Sequence, residues 1–158
     1  MKNYVVGFLF SSSLGQVVLI EKKRPEWQAG RFNGVGGKVE DGETFHEAMV
    51  REFREETGRE IPKWSRFCTL NGNFGSVVFY YAVAEDYNKV ESITDEDITL
   101  WDVDYVMELN RGEIIPNLRW LIQMARSFSR GEWAKEFVVN EVYHENRETI
   151  DEVPIYQA

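Results

Sequence analysis

A chain of 158 residues is the size of one domain, and 43% hydrophobic with 14% aromatic content is enough apolar area to build a core. A formal charge of −9 excludes broad electrostatic binding to nucleic acid, which needs a basic face, and the lone cysteine, Cys68, excludes an intrachain disulfide and fits a reducing cytoplasm. No run approaches the roughly 18 apolar residues of a membrane span, so the expected partner is neither nucleic acid nor membrane.

Tyr4 to Phe10 and Val17 to Ile20 are apolar runs flanking SSSLG, whose serines and glycine suit a turn, so the N-terminus reads as paired strands. The opening MKNYVVGFLFSSSLG has the superficial look of a signal peptide, but the hydrophobic pattern resumes at once in QVVLIEKK, which favours strand and turn. KKRPEWQAGRFNGVGG then reads as a loop with one short strand. It carries Lys22, Lys23, Arg24 and Arg31, a basic island in an acidic chain.

Thr44 with Glu47 three residues later forms a capping-box pattern, and Gly58 suits the left-handed position past a helix end. SRFCTL and SVVFYYAVA, separated by NGNFG, predict a hairpin. Glu85 to Asp97 reads as an acidic surface loop before a strand from about Leu100 to Tyr105. Pro116 marks a second helix start, with Leu118, Leu121, Ile122, Ala125 and Phe128 recurring at helical spacing on one buried side. A last strand is expected over Glu136 to Val142, with a loosely held polar tail after Tyr143. The whole, 1–158, reads as a single domain.

The first helix crowds glutamates together. At about 100° per residue, with Glu52 at zero, Glu55 falls near −60° and Glu56 near +40°, continuing the stripe of Phe45, Ala48 and Met49. The wet face is then Glu47, Arg51, Arg54 and Thr57. Three carboxylates on a partly buried stripe repel one another and lose hydration unless protons, arginines or a cation compensate. Mg²⁺ suits them, since it takes oxygen ligands and shares them with phosphates. Arg51 is one turn from Glu47 and Glu55 and can hold one carboxylate. Before the helix, Gly34, Gly36 and Gly37 let backbone come close and take conformations other residues resist, and Lys38 adds positive charge.

These residues resemble the Nudix hydrolase signature G-x5-E-x7-R-E-U-x-E-E-x-G-U. Gly37, Glu43, Arg51, Glu52, Glu55, Glu56 and Gly58 fill every fixed position, while Phe53 and Arg59 depart at the two apolar ones, with Ile61 able to take over the anchoring that Arg59 cannot give. The preceding loop, KKRPEWQAGRFNGVGGK, is similar to that of MutT-type enzymes acting on oxidised purine nucleoside triphosphates. The resemblance implies an α/β fold, an α/β/α sandwich around a mixed sheet. It also implies Mg²⁺-dependent hydrolysis, with Mn²⁺ as a substitute, of a nucleoside triphosphate to monophosphate and pyrophosphate.

By the same resemblance, Glu52, Glu55, Glu56 and the Gly36 carbonyl hold metal, Arg51 orients the glutamates and Glu43 supports them. A distal carboxylate ligand to the metal is expected at Glu96, with Asp95 and Asp97 as rivals and a plain surface loop as an equal account of all three, and the general base is Glu52 or Glu96. Lys22, Lys23 and Lys38 steer the phosphates. Asn33 is either a base reader or a turn-forming residue before Gly34, and Trp27, Phe32 or Trp120 could stack on a base. Human-type oxidised-purine enzymes carry two aspartates after a proline where this chain has Asn117 and Leu118 after Pro116, so recognition of 8-oxoguanine by that route is not expected. Alternatives are hydrolysis of ADP-ribose or a dinucleoside polyphosphate, or nucleotide sensing without turnover. Homodimerisation stays open. His46 and His144 are expected to be exposed, and Ser11 to Ser13 have no paired histidine.

Overall fold

The computed structural model describes residues 2–110, 112–133 and 135–141. The expected tail after Tyr143, with His144, and the end of the last expected strand lie outside them. Two strands open the chain, β1 (Lys2–Phe10) and β2 (Gln16–Glu21), joined by the serine turn. β3 (Phe32–Asn33) and β4 (Val35–Lys38) lie in the glycine-bearing loop. Helix α1 (Phe45–Thr57) precedes the hairpin of β5 (Ser65–Gly72) and β6 (Gly75–Val83). β7 (Ile98–Asp102), α2 (Val103–Glu108), α3 (Leu118–Ser129) and β8 (Phe137–Asn140) complete the described residues.

Among these residues eight strands form one mixed sheet, in the order β3-β2-β1-β6-β5-β8, with β4 also on β1 and β7 also on β2. β1 runs parallel to β6, with Val5 opposite Val78, and β5 runs parallel to β8. Because side chains alternate along a strand, β1 feeds two cores. Phe8 and Phe10 pack with α2 and α3 on one face, and Val5 and Leu9 pack with α1 on the other. The result is an α/β/α sandwich. Each fully buried Phe or Leu contributes about 1.5–3 kcal/mol of apolar burial, and β1 supplies Phe8, Leu9 and Phe10, all wholly inaccessible.

α1 starts and stops where its sequence directs. Thr44 Oγ1 accepts from the Glu47 N–H at 3.1 Å, Glu47 Oε2 accepts from the Thr44 N–H at 2.9 Å, and Gly58 at φ 74° closes the far end. The helix lies close to the sheet because Gly7 has no side chain, and a Cβ there would overlap Met49. Phe53 packs on Trp64 with ring centres 5.1 Å apart. Ile61 is buried in this core, while Arg59, 22% exposed, pairs with the Asp86 carboxylate at 2.5 Å, so the charged residue in the apolar signature position has its counter-ion.

Two expectations are corrected. The strand expected to run through Tyr105 ends at Asp102, because the Asp102 carboxylate accepts from the N–H groups of Asp104 at 3.0 Å and Tyr105 at 3.3 Å and caps a helix instead. Thr57, expected on the wet face, is buried. Its hydroxyl donates to the Phe53 carbonyl at 2.6 Å, which removes the cost of hiding it. No helix among the described residues is long and apolar enough to cross a membrane.

Candidate active site

The signature residues meet at one edge of α1, where Arg51 is the hub. It was expected on the solvated face, yet its side chain is only 17% exposed because it folds over its neighbours. Its Nε and Nη2 donate to the two oxygens of Glu43 at 2.9 and 2.6 Å. Nη1 donates to Glu52 at 2.9 Å and Glu55 at 3.1 Å, and Nη2 also reaches the Lys38 carbonyl at 2.9 Å. All five N–H donors of a guanidinium are thereby used. Glu47, the other neighbour expected within reach, is occupied by the helix cap.

The three helix carboxylates are not equally inward. Glu52 is 12% exposed and Glu56 intermediate, but Glu55 is 53% exposed, so Glu55 is corrected from the apolar stripe to its wet border. Burial pushes the Glu52 carboxyl above its usual range; the Arg51 hydrogen bond opposes this, and the charges of Glu55 and Glu56 reinforce it. The hydrogen bond from Arg51 holds Glu43 below the usual range, and Arg51 itself is raised further by Glu43.

β4 runs directly beside this edge. A Cβ at Gly37 would overlap the Glu52 carboxylate, and one at Gly36 would overlap the Val5 carbonyl of β1. Neither glycine has a positive φ. The glycines are therefore needed for close approach, and the expectation of unusual backbone conformation is corrected.

The distant loop closes over the far end of the helix. Thr94 Oγ1 donates to Glu56 Oε2 at 2.8 Å and accepts from the Glu96 N–H at 3.2 Å. Glu96 is buried at 4% exposure, with Oε1 on Lys22 Nζ at 3.2 Å and Oε2 on the Lys23 N–H at 2.6 Å. Asp95 points outward to pair with Arg24, and Asp97 is exposed. Of the three rivals only Glu96 turns inward. Thr94 was not among the expected site residues, and a single threonine in an acidic loop carries no sequence signal for it.

The remaining candidates are more dispersed. The Lys23 and Lys38 side chains are exposed, and Lys22 is engaged by Glu96. Trp27 is 48% exposed on a short turn of 3₁₀-helix. Asn33 ends β3, and its Oδ1 accepts from the Gly34 N–H at 2.8 Å. Phe32 meets the edge of Trp101 at 4.9 Å. Trp120 packs on the α3 face, opposite α1, where with Met107, Met124, Trp133 and Phe137 it lines an apolar cleft of about 400 Å³. His46 is exposed, its Nε2 accepting from the Trp64 N–H at 3.4 Å.

Among the described residues no three acidic, histidine or cysteine side chains converge into a closed metal cage. The donor set still fits a hard divalent cation. Glu52, Glu55, Glu56 and the Gly36 carbonyl offer only oxygen, and Mg²⁺ commonly takes one or two carboxylates and completes its shell with water and substrate phosphate. With no side chain at Gly37, the Glu52 carboxylate lies directly against β4, the strand that carries the Gly36 carbonyl.

A model of the NUDIX domain matches residues 1–128. An oxidized purine nucleoside triphosphate hydrolase from Danio rerio is 52% identical over 97 residues, covering 58% of this chain and 62% of that protein. The chain spans no more than 62% of the length of the curated relatives it matches. Among solved structures, MutT from the pair Aliivibrio salmonicida and Vibrio cholerae has a TM-score of 0.60 at 21% identity, over 79% of this chain and 96% of that one. The NUDIX domain of Shewanella oneidensis NrtR, complexed with ADP ribose, has a TM-score of 0.67 at 20% identity, over 80% and 87%. At those identities the structures share the fold.

Proposed function

The chain belongs to the NUDIX domain family, and from that premise we propose that it hydrolyses a nucleoside triphosphate, with an oxidised purine nucleotide as the first substrate to test, to a nucleoside monophosphate and pyrophosphate. The observation that carries this is the α1 edge itself: Glu52, largely buried against Gly37, held with Glu43 and Glu55 by one fully engaged arginine. The long, 52% identical match to an oxidized purine nucleoside triphosphate hydrolase supports the substrate class.

A divalent cation held by Glu52, Glu55, Glu56 and the Gly36 carbonyl would supply charge neutralisation to the phosphates and lower the cost of ionising the attacking water. The chain's own residues do the rest. Arg51 fixes the carboxylates so that little reorganisation is needed at the moment of reaction. Water adds in line to phosphorus, the anhydride oxygen leaves with pyrophosphate, and a carboxylate takes the water's proton. Glu52 is the better base: only its Oε1 is engaged, by Arg51, whereas Glu96 has Oε1 on Lys22 and Oε2 on Lys23. Lys23 and Lys38, exposed and unburdened by burial, attract the polyphosphate. Glu96 acts from behind, fixing Lys22 and the Lys23 backbone at the loop's root.

The experiment is a pyrophosphate- and phosphate-release screen with Mg²⁺ or Mn²⁺ across normal and oxidised nucleoside triphosphates, 8-oxo-dGDP, ADP-ribose, dinucleoside polyphosphates and NADH. Pyrophosphate release from a triphosphate above the other classes is expected. Preferential cleavage of ADP-ribose or a dinucleoside polyphosphate, or binding with no turnover of any compound, overturns it.

A further inference from the structure

The loop between β2 and β4 holds four cations, and three of them are accounted for. Lys22 pairs with Glu96 at 3.2 Å, Arg24 pairs with Asp95, and the Lys23 side chain stands in solvent while its N–H serves Glu96. Arg31 is different. Its side chain is only partly exposed, and its Nη1 is buried with no hydrogen-bond partner among the described residues. A buried guanidinium N–H without an acceptor has lost its water and received nothing in exchange. Such groups are uncommon in folded proteins and call for an explanation, a bound anion among them; Arg126 Nε, on α3, is a second case, but it stands away from the basic loop. The composition sharpens the point: with 27 acidic residues against 18 basic ones, a carboxylate partner would have been easy to supply.

The backbone around Arg31 is firmly held. The Arg31 carbonyl accepts from the Lys22 N–H at 2.8 Å, its own N–H donates to Gln28 at 3.0 Å, and Gly30, at φ 81°, donates back to the Lys22 carbonyl at 2.8 Å. Arg31 therefore sits across the strand ladder from Lys22. Lys22 holds Glu96, and the loop of Glu96 reaches Glu56 of α1 through Thr94. The loop that carries the unsatisfied donor is thus the loop that anchors Glu96.

We propose that Arg31 is an oxyanion-binding residue of this site, donating from Nη1 to a phosphate oxygen of the nucleotide. This rests on the proposed function for the identity of the nucleotide, but the anion chemistry can be tested apart from it. A guanidinium suits the task because its charge-assisted bonds to phosphate are directional, and a lysine ammonium lacks the fork.

The test uses the full chain and its Arg31→Gln and Arg31→Lys variants, titrated calorimetrically with an α,β-methylene purine nucleoside triphosphate and with pyrophosphate, beside melting curves of the free proteins. Arg31→Gln should weaken binding of both about ten- to hundredfold, with Arg31→Lys intermediate. Melting of the free protein should stay level or rise, because an uncompensated buried donor has been removed. A purely structural arginine gives the opposite pattern, lower melting with affinity following it, and that result overturns the proposal. Affinity within twofold of wild type also overturns it. If the wild-type protein binds pyrophosphate and no nucleotide, the functional reading fails and pyrophosphate alone decides Arg31; if it binds neither, both fail.

Discussion

Arg51 and Glu43 are clasped by two parallel hydrogen bonds, Nε to Oε2 at 2.9 Å and Nη2 to Oε1 at 2.6 Å, across eight residues of chain. This pairing ties the turn before α1 to the helix and leaves Nη1 free to hold Glu52 and Glu55. Position and charge are thus supplied by one side chain.

Removing that side chain should hurt both stability and turnover. Arg51→Ala strands a largely hidden Glu43 and is expected to cost about 3 kcal/mol, read by denaturant unfolding. Arg51→Lys keeps the charge but cannot fork, so it should recover part of the stability and little of kcat. A lysine variant with wild-type turnover would show that carboxylate orientation is not what Arg51 supplies.

The two glycines of β4 should fail in different ways. Gly36→Ala drives a methyl into the Val5 carbonyl of a central strand, so it should lower stability by about 1–3 kcal/mol or prevent folding. Gly37→Ala meets the Glu52 carboxylate instead, and its main effect should be on divalent-ion affinity and kcat. Equal losses of melting temperature in both variants would contradict this division.

The buried Lys22–Glu96 pair, 19% and 5% exposed, predicts an asymmetric result. Lys22→Met leaves a buried carboxylate without its cation and should cost about 3 kcal/mol. Glu96→Gln should cost less, since glutamine still accepts from the Lys23 N–H. Asp95→Asn, at an exposed pair, should leave melting unchanged. Melting curves of the three variants check the order.

Without divalent ions, stability should respond to pH in two opposed steps. Glu43 has a depressed pKa, so its contribution is complete above the ordinary carboxylate value and is lost as pH falls through the depressed one. Glu52 has a raised pKa, so its contribution is complete below the ordinary value and is lost as pH rises through the raised one. Acidifying from neutrality should first stabilise the free protein and then destabilise it. Glu52→Gln should abolish the first step and Glu43→Gln the second, by melting across a pH series.

Local chemistry made much of this architecture readable. The capping box, the left-handed Gly58, the NGNFG hairpin and the buried stripe of Leu118, Leu121, Ile122 and Ala125 all follow from short-range rules. What escaped depends on partners distant in sequence or on a side chain bending back. Glu96 is buried because Lys22, 74 residues away, meets it. Thr57 hides because its hydroxyl reaches the preceding turn, and Arg51 leaves the solvated face because four acceptors lie on the other side. Helix α2 was masked by β-forming residues such as Trp101, Val103 and Tyr105, and the Asp102 cap decides against them.

The central claim is that the edge of α1 carries carboxylates for a divalent ion shared with a nucleotide. Calorimetric titration of Mg²⁺ and Mn²⁺ into the wild-type chain and Glu52→Gln, each with and without an α,β-methylene nucleoside triphosphate, tests it most directly. Uptake by the wild type that tightens with nucleotide and falls at least tenfold in the variant is the expected result. No uptake by the wild type even beside nucleotide, or equal uptake by both proteins, would contradict it.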